Sequence, residues 1–69
     1  MIYILPDNVK IVSYKKIVKL QEDEMEIISK KHTIILKGDK LFISYLDDDE
    51  IIISGKVNNI ILNENKSNK

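Results

Sequence analysis

Short runs rich in isoleucine, valine and leucine recur at close, regular spacing through the chain, at residues 9–12, 15–20, 24–29, 33–37, 40–45, 50–54 and 56–62. Each is bounded by charged or glycine-containing breaks, the pattern of short strands. Parallel neighbours need crossover connections of about a dozen residues or more, and the breaks are too short for them. The runs therefore predict an all-β fold: an antiparallel meander of about six to seven short strands, curled into a roll or partly open barrel. A short β-solenoid-like stack is the alternative, although no motif repeats clearly.

The breaks suggest how the runs connect. Gly38-Asp39 can take the positive φ of a two-residue hairpin loop, and Lys30-Lys31 is a turn by position. Gln21-Glu22-Asp23 and Asp47-Asp48-Asp49 read as polar loops, the second suited to Asx turns through its aspartates. Gly55 interrupts a continuous apolar pattern and marks a bulge or bend rather than a loop. Residues 22–31 contain helix formers but lack a helical apolar stripe and an N-cap box, so they read as strand. Residues 1–62 form the single domain on this reading, and 63–69, with no apolar side chain, a disordered polar tail.

Strict alternation would give one apolar face. Here Met25, Ile27, Ile35, Leu41, Ile43, Tyr45, Ile51, Ile53, Val57 and Ile61 can share a face, which turns Ile28, Ile34, Leu36, Phe42, Ile52, Ile60 and Leu62 to the other. Either both faces of a curled sheet are partly covered, or one meets a partner. Phe42, Tyr45, Ile52 and Ile60 are the interface candidates. A domain of 69 residues buries only about 60% of the surface its unfolded chain exposes. The chain has no cysteine to staple it, so a partner or self-association is the expected support.

Chemistry is sparse. His32 is the single histidine, at a strand start, and no nucleophile or carboxylate can be placed around it, so it reads as a surface or edge residue. There is no phosphate loop, nucleophile elbow or zinc spacing. The cluster Asp47-Asp48-Asp49-Glu50 lacks the alternate spacing and glycine of a calcium loop; it reads as a solvated turn that keeps Ile51-Ile52-Ile53 from aggregating. No enzyme activity, cofactor, metal or small-molecule substrate is expected. Eleven basic and eleven acidic residues balance to zero net charge, which argues against a nucleic-acid partner. The one basic concentration, Lys10, Lys15, Lys16 and Lys19 with Tyr3 and Tyr14 nearby, leaves a small nucleic-acid-binding barrel as the alternative function; lysines that block an exposed strand edge account for it equally well.

Met1-Ile2-Tyr3-Ile4-Leu5 followed by Pro6-Asp7 has neither the basic start nor the apolar length of a signal peptide. No apolar run approaches the roughly 20 residues of a membrane-spanning helix, so the expectation is a soluble, cytoplasmic protein.

Three stretches resemble the YabP/YqfC family of sporulation proteins from endospore-forming bacteria. Ile34-Ile35-Leu36-Lys37-Gly38-Asp39-Lys40-Leu41-Phe42-Ile43 resembles the family's strand, glycine-containing turn and Leu-x-Ile. Tyr45-Leu46-Asp47-Asp48-Asp49-Glu50-Ile51-Ile52-Ile53 resembles its acidic loop leading into Glu-Ile-x-Ile. Ser54-Gly55-Lys56-Val57-Asn58-Asn59-Ile60 resembles its closing Gly-x-Ile-x-x-Ile. The chain departs from the pattern at Lys15-Lys16 and at Lys31-His32, where family members often carry glycine. The resemblance implies a non-enzymatic protein of the mother cell, an interaction or scaffold module in spore envelope assembly. It also implies a membrane-embedded sporulation protein as partner, and hence a place at a membrane through that partner; the thin core and second apolar face add self-association into a homo-oligomer as a further mode. It brings no catalytic residues.

Overall fold

The computed structural model describes residues 2–5 and 7–65. Six strands, β1 (Ile2–Ile4), β2 (Asn8–Val12), β3 (Tyr14–Leu20), β4 (Glu24–Ser29), β5 (His32–Leu46) and β6 (Glu50–Glu64), form one antiparallel sheet in the order β1-β2-β6-β5-β4-β3. The fold is the expected all-β one: β3 to β6 run as a meander, and the β1–β2 hairpin returns against β6. A solenoid stack does not have this strand order.

β5 and β6, at 15 residues each, make the sheet fold on itself. The first half of β5 pairs with β4 and with the second half of β6, whereas the first half of β6 pairs with β2 and with the second half of β5. The hairpin thus belongs to two sub-sheets and bends between them. Side chains on the concave face meet in one core of Val9, Ile11, Ile51 and Ile53 from one half and Met25, Ile27, Ile34 and Leu36 from the other, with Leu41 at the bend. All nine are at most 3% exposed. One face of a flat sheet could not be sealed in this way, and each such aliphatic side chain contributes about 1.5–3 kcal/mol.

Gly38-Asp39 therefore does not close a hairpin. Both residues lie inside β5, opposite Val57 and Lys56, and the register slips on either side of them. The bend uses three unusual backbones: Gly38 in close contact with Lys56, Gly55 at φ 114°, and Lys40 at φ 54°. The positive φ expected at Gly38-Asp39 falls instead on Lys40 and Gly55, because two bulged long strands bend a sheet where two short hairpins would end it. Gly55 is the bend that the sequence indicated. At the other corner Ser13, at φ 65°, carries the chain from β2 into β3, and its N–H donates to the Asp49 carbonyl at 2.6 Å.

Those register slips also reassign faces. Ile34 and Leu36 point inward and Ile35 outward; Ile60, opposite Leu36, points inward and Ile61, opposite Ile35, outward. The slip between Ile43 and Tyr45 puts Ile43 opposite Ile53 on the inner face and Tyr45 opposite Ile52 on the outer one. Alternation continued straight through these bulges exchanges the pairs, which is why the faces differ from those expected of the sequence.

β1 was not expected as a strand. Asn63 and Glu64, assigned to a tail, complete β6, and Asn65 holds the β4–β5 turn. Its N–H donates to the Lys31 carbonyl and its side-chain amide to the Ser29 carbonyl, both at 2.9 Å, while its Oδ1 accepts from Thr33 Oγ1 at 2.6 Å. The rest of the expected tail, residues 66–69, lies outside the described residues.

Candidate interaction surface

The convex face of the half formed by β1, β2, the first half of β6 and the second half of β5 carries the densest aromatic cover. The registers Tyr3 opposite Lys10, Lys10 opposite Ile52 and Ile52 opposite Tyr45 line up a cross-strand row. Phe42 stands beside it, opposite Ser54. Phe42 is 55% exposed, Tyr45 47% and Tyr3 46%, although all three are large apolar rings. Three of the four interface candidates, Phe42, Tyr45 and Ile52, thus share one surface. Ile60 is not on it; it packs against the core on the concave side. Tyr3 is the member the sequence reading did not include, and the alternation of Ile2-Tyr3-Ile4 was the signal for it.

The row is pinned at both ends. Lys10 Nζ lies 3.1 Å from Glu50 Oε2 and 5.8 Å from the Tyr3 ring centre, a partly exposed cation–π arrangement. At the other end Tyr45 Oη donates to Asp47 Oδ2 at 2.7 Å. Asp47 Oδ1 accepts the N–H groups of Asp49 and Glu50, each at 2.8 Å, which is the Asx turn expected of this loop. Across the corner, Tyr14 Oη donates to the Asp47 carbonyl at 2.7 Å. Ser44 and Ser54 hydroxyls meet at 2.8 Å between Phe42 and Ile52. The aromatic side chains therefore sit on a stiffened support, so less side-chain entropy is lost when they are covered.

The hydrogen bond from Tyr45 and the two backbone N–H donors hold the Asp47 carboxyl below its ordinary range, because each stabilises the charged form. The same bond, with the negative charge behind it, raises the Tyr45 phenol above its ordinary value. Asp47 therefore contributes stability that is present above the ordinary carboxylate pKa and is lost as pH falls through its lowered one. Asp47→Asn is expected to bring the Tyr45 phenol back towards its ordinary value, read as phenolate absorbance in an alkaline titration. An unchanged curve would mean that the bond does not persist in solution.

The basic candidates do not converge. Lys10 is on β2, while Lys15, Lys16 and Lys19 are on β3 at the far edge of the strand order. Lys19 pairs with Glu24 at 3.5 Å. Lys15 and Lys16 are exposed along an edge that also carries two register slips, both of them devices that discourage edge-to-edge pairing. His32 opens β5, and its N–H donates to Ser29 Oγ at 3.3 Å in the β4–β5 turn. Among the described residues no three His, Asp or Glu side chains converge as metal ligands, and no helix is long and apolar enough to cross a membrane.

Fold and surface together define a small all-β module that presents a stiffened aromatic face. The YabP family model matches residues 6–69, and the chain belongs to that family, which fits a sporulation-associated protein. No curated protein and no solved structure matches it.

Proposed function

We propose that this chain is a non-enzymatic interaction module of spore envelope assembly, docking a membrane-embedded sporulation protein through the face of Phe42, Tyr45 and Ile52. The observation that carries the reading is the clustering of these side chains with Tyr3 on one convex surface of a very small domain. Aromatic side chains on a firm support are the usual energetic centre of a protein interface. Family membership supports a sporulation setting, and the separation of Lys10 from the β3 lysines in strand order weighs against the nucleic-acid alternative.

A photo-crosslinking phenylalanine in place of Phe42, irradiated in sporulating cells, is expected to give an adduct with a protein of the membrane fraction. The same residue in place of Lys16, on the opposite half of the roll, is expected to give none. Equal adducts from both positions, or an adduct only with a second copy of the chain, would contradict the reading.

A further inference from the structure

The roll is open where β1 comes beside the second half of β6. The Asn65 N–H bonds to Lys31, and the register carries that alternation back through Asn63 opposite Thr33 and Ile61 opposite Ile35. The backbone N–H and C=O groups of Ile60, Leu62 and Glu64 consequently point away from β5, and no described strand pairs with them. On the facing side, Leu5 N–H bonds to the Asn8 carbonyl, which by the same alternation turns the backbone of Ile2 and Ile4 outward.

Aliphatic side chains run along the gap, with Asp7, Asn8, Asn58 and Asn59 around one end and Lys30 and Lys31 at the other. Ile2, Ile4, Ile60 and Leu62 all have inward register, yet Ile4 is 67% and Leu62 53% exposed. A cleft of about 380 Å³ between Ile4, Val57 and Ile60 occupies one end of the gap. Asn8, whose buried side-chain oxygen has no hydrogen-bond partner, also lines it. A second cleft of about 480 Å³ at the other end is lined by Ile2, Leu62, Lys30, Lys31 and His32. Lys30 and Lys31 are exposed and form no ion pair among the described residues. This edge differs from that of β3: from Val57 to Glu64 it has no lysine, and no described strand covers it.

We propose that the free edge of β6 from Ile60 to Glu64 receives an extended strand of another protein, alternating aliphatic and polar residues, with an acidic end set against Lys30 and Lys31. The backbone groups specify a strand, the exposed inward aliphatic residues specify its alternate side chains, and the two unpaired lysines specify its charged end. This site is separate from the aromatic face and does not depend on that face's use.

The test is made on the purified chain with a synthetic octapeptide of alternating valine and threonine ending in two aspartates, and with a control ending in two lysines. The acidic peptide is expected to bind about tenfold or more tightly than the control and to slow hydrogen exchange at the Ile60, Leu62 and Glu64 amides. Lys30→Glu with Lys31→Glu is expected to reverse the preference, and Ile52→Lys to leave it intact. Leu62→Pro, which removes an edge donor, is expected to abolish binding with the far-ultraviolet spectrum unchanged; should it fail to fold, the charge reversal decides. No binding, binding indifferent to the peptide's charge, protection at other amides, or protection of these amides by a second copy of the chain would overturn the proposal.

Discussion

Gly38→Ala is expected to leave the chain unfolded at 25 °C. A Cβ built on Gly38 falls onto the carbonyl oxygen of Lys56, and lies 2.9 Å from the Lys56 carbonyl carbon and 3.0 Å from Val57 Cα. All three atoms are backbone, so no side chain can turn aside and β6 itself must move. Gly55 in β6 is also crowded, since a Cβ there would stand 2.5 Å from the Lys40 carbonyl oxygen, at a φ that side chains rarely adopt. Displacing β6 at the bend would pull Ile51 and Ile53 away from Ile34 and Leu36, and damage of that kind costs more than about 4 kcal/mol. Once conformational entropy has offset burial, the net stability of a domain this small is only about 3–5 kcal/mol. The measurement is circular dichroism with a urea titration: the native chain is expected to show a cooperative transition and Gly38→Ala none. Serine at the same position is expected to fail likewise, because the clash belongs to the Cβ. A folded Gly38→Ala would show that the two strands do not approach so closely.

These glycines also mark where the sequence could be read and where it could not. The strand segments were legible because β-branched runs and polar breaks follow local rules. β4 begins and ends where the pattern places it, and the turns at residues 21–23, 30–31 and 47–49 connect strands as expected. What local rules do not contain is the joining of runs 33–37 and 40–45 into β5, and of 50–54 and 56–62 into β6. A glycine that ends a strand and one that lets two long strands cross look alike in sequence; the difference lies in the approach of Lys56 to Gly38, a contact between distant residues. The face assignments fail for the same cause, because one bulge inverts every side chain beyond it.

The candidate surface divides along that line. Phe42 and Ile52 were placed on the outer face by alternation alone, and the structure places them there. Tyr45 reaches the same face only through the slip after Ile43, whereas Ile60 leaves it through the slips at the bend. The lysines of β2 and β3 are close in sequence and distant in strand order, since Ser13 turns the chain from one half of the roll to the other. Proximity in sequence suggested a basic patch that the topology then divides.

Phe42→Lys combined with Ile52→Lys is expected to abolish the chain's contribution to spore formation while leaving its fold nearly unchanged. Phe42 is exposed on the convex face, where a single substitution usually changes stability by no more than about 0.5 kcal/mol; Ile52 is half-buried on the same face, so its lysine, whose stem can lie along the sheet, costs up to about 1 kcal/mol more. Losing an aromatic anchor from an interface costs about 2 kcal/mol or more, roughly 30-fold in affinity. Introducing lysine adds the cost of burying an unpaired charge against the partner. The two effects separate cleanly because neither residue belongs to the core of Val9, Ile11, Ile51 and Ile53. Lys15→Glu with Lys16→Glu, a charge change twice as large and of opposite sign on the β3 edge, serves as the control and is expected to leave spore formation unaltered.

The most direct measurement is the yield of heat-resistant spores from cells carrying the Phe42→Lys, Ile52→Lys chain as their sole copy, with its abundance and urea midpoint measured alongside. The expected yield is as low as that of cells lacking the chain, at normal abundance and nearly native stability. A full yield of resistant spores from the stable double variant would contradict it.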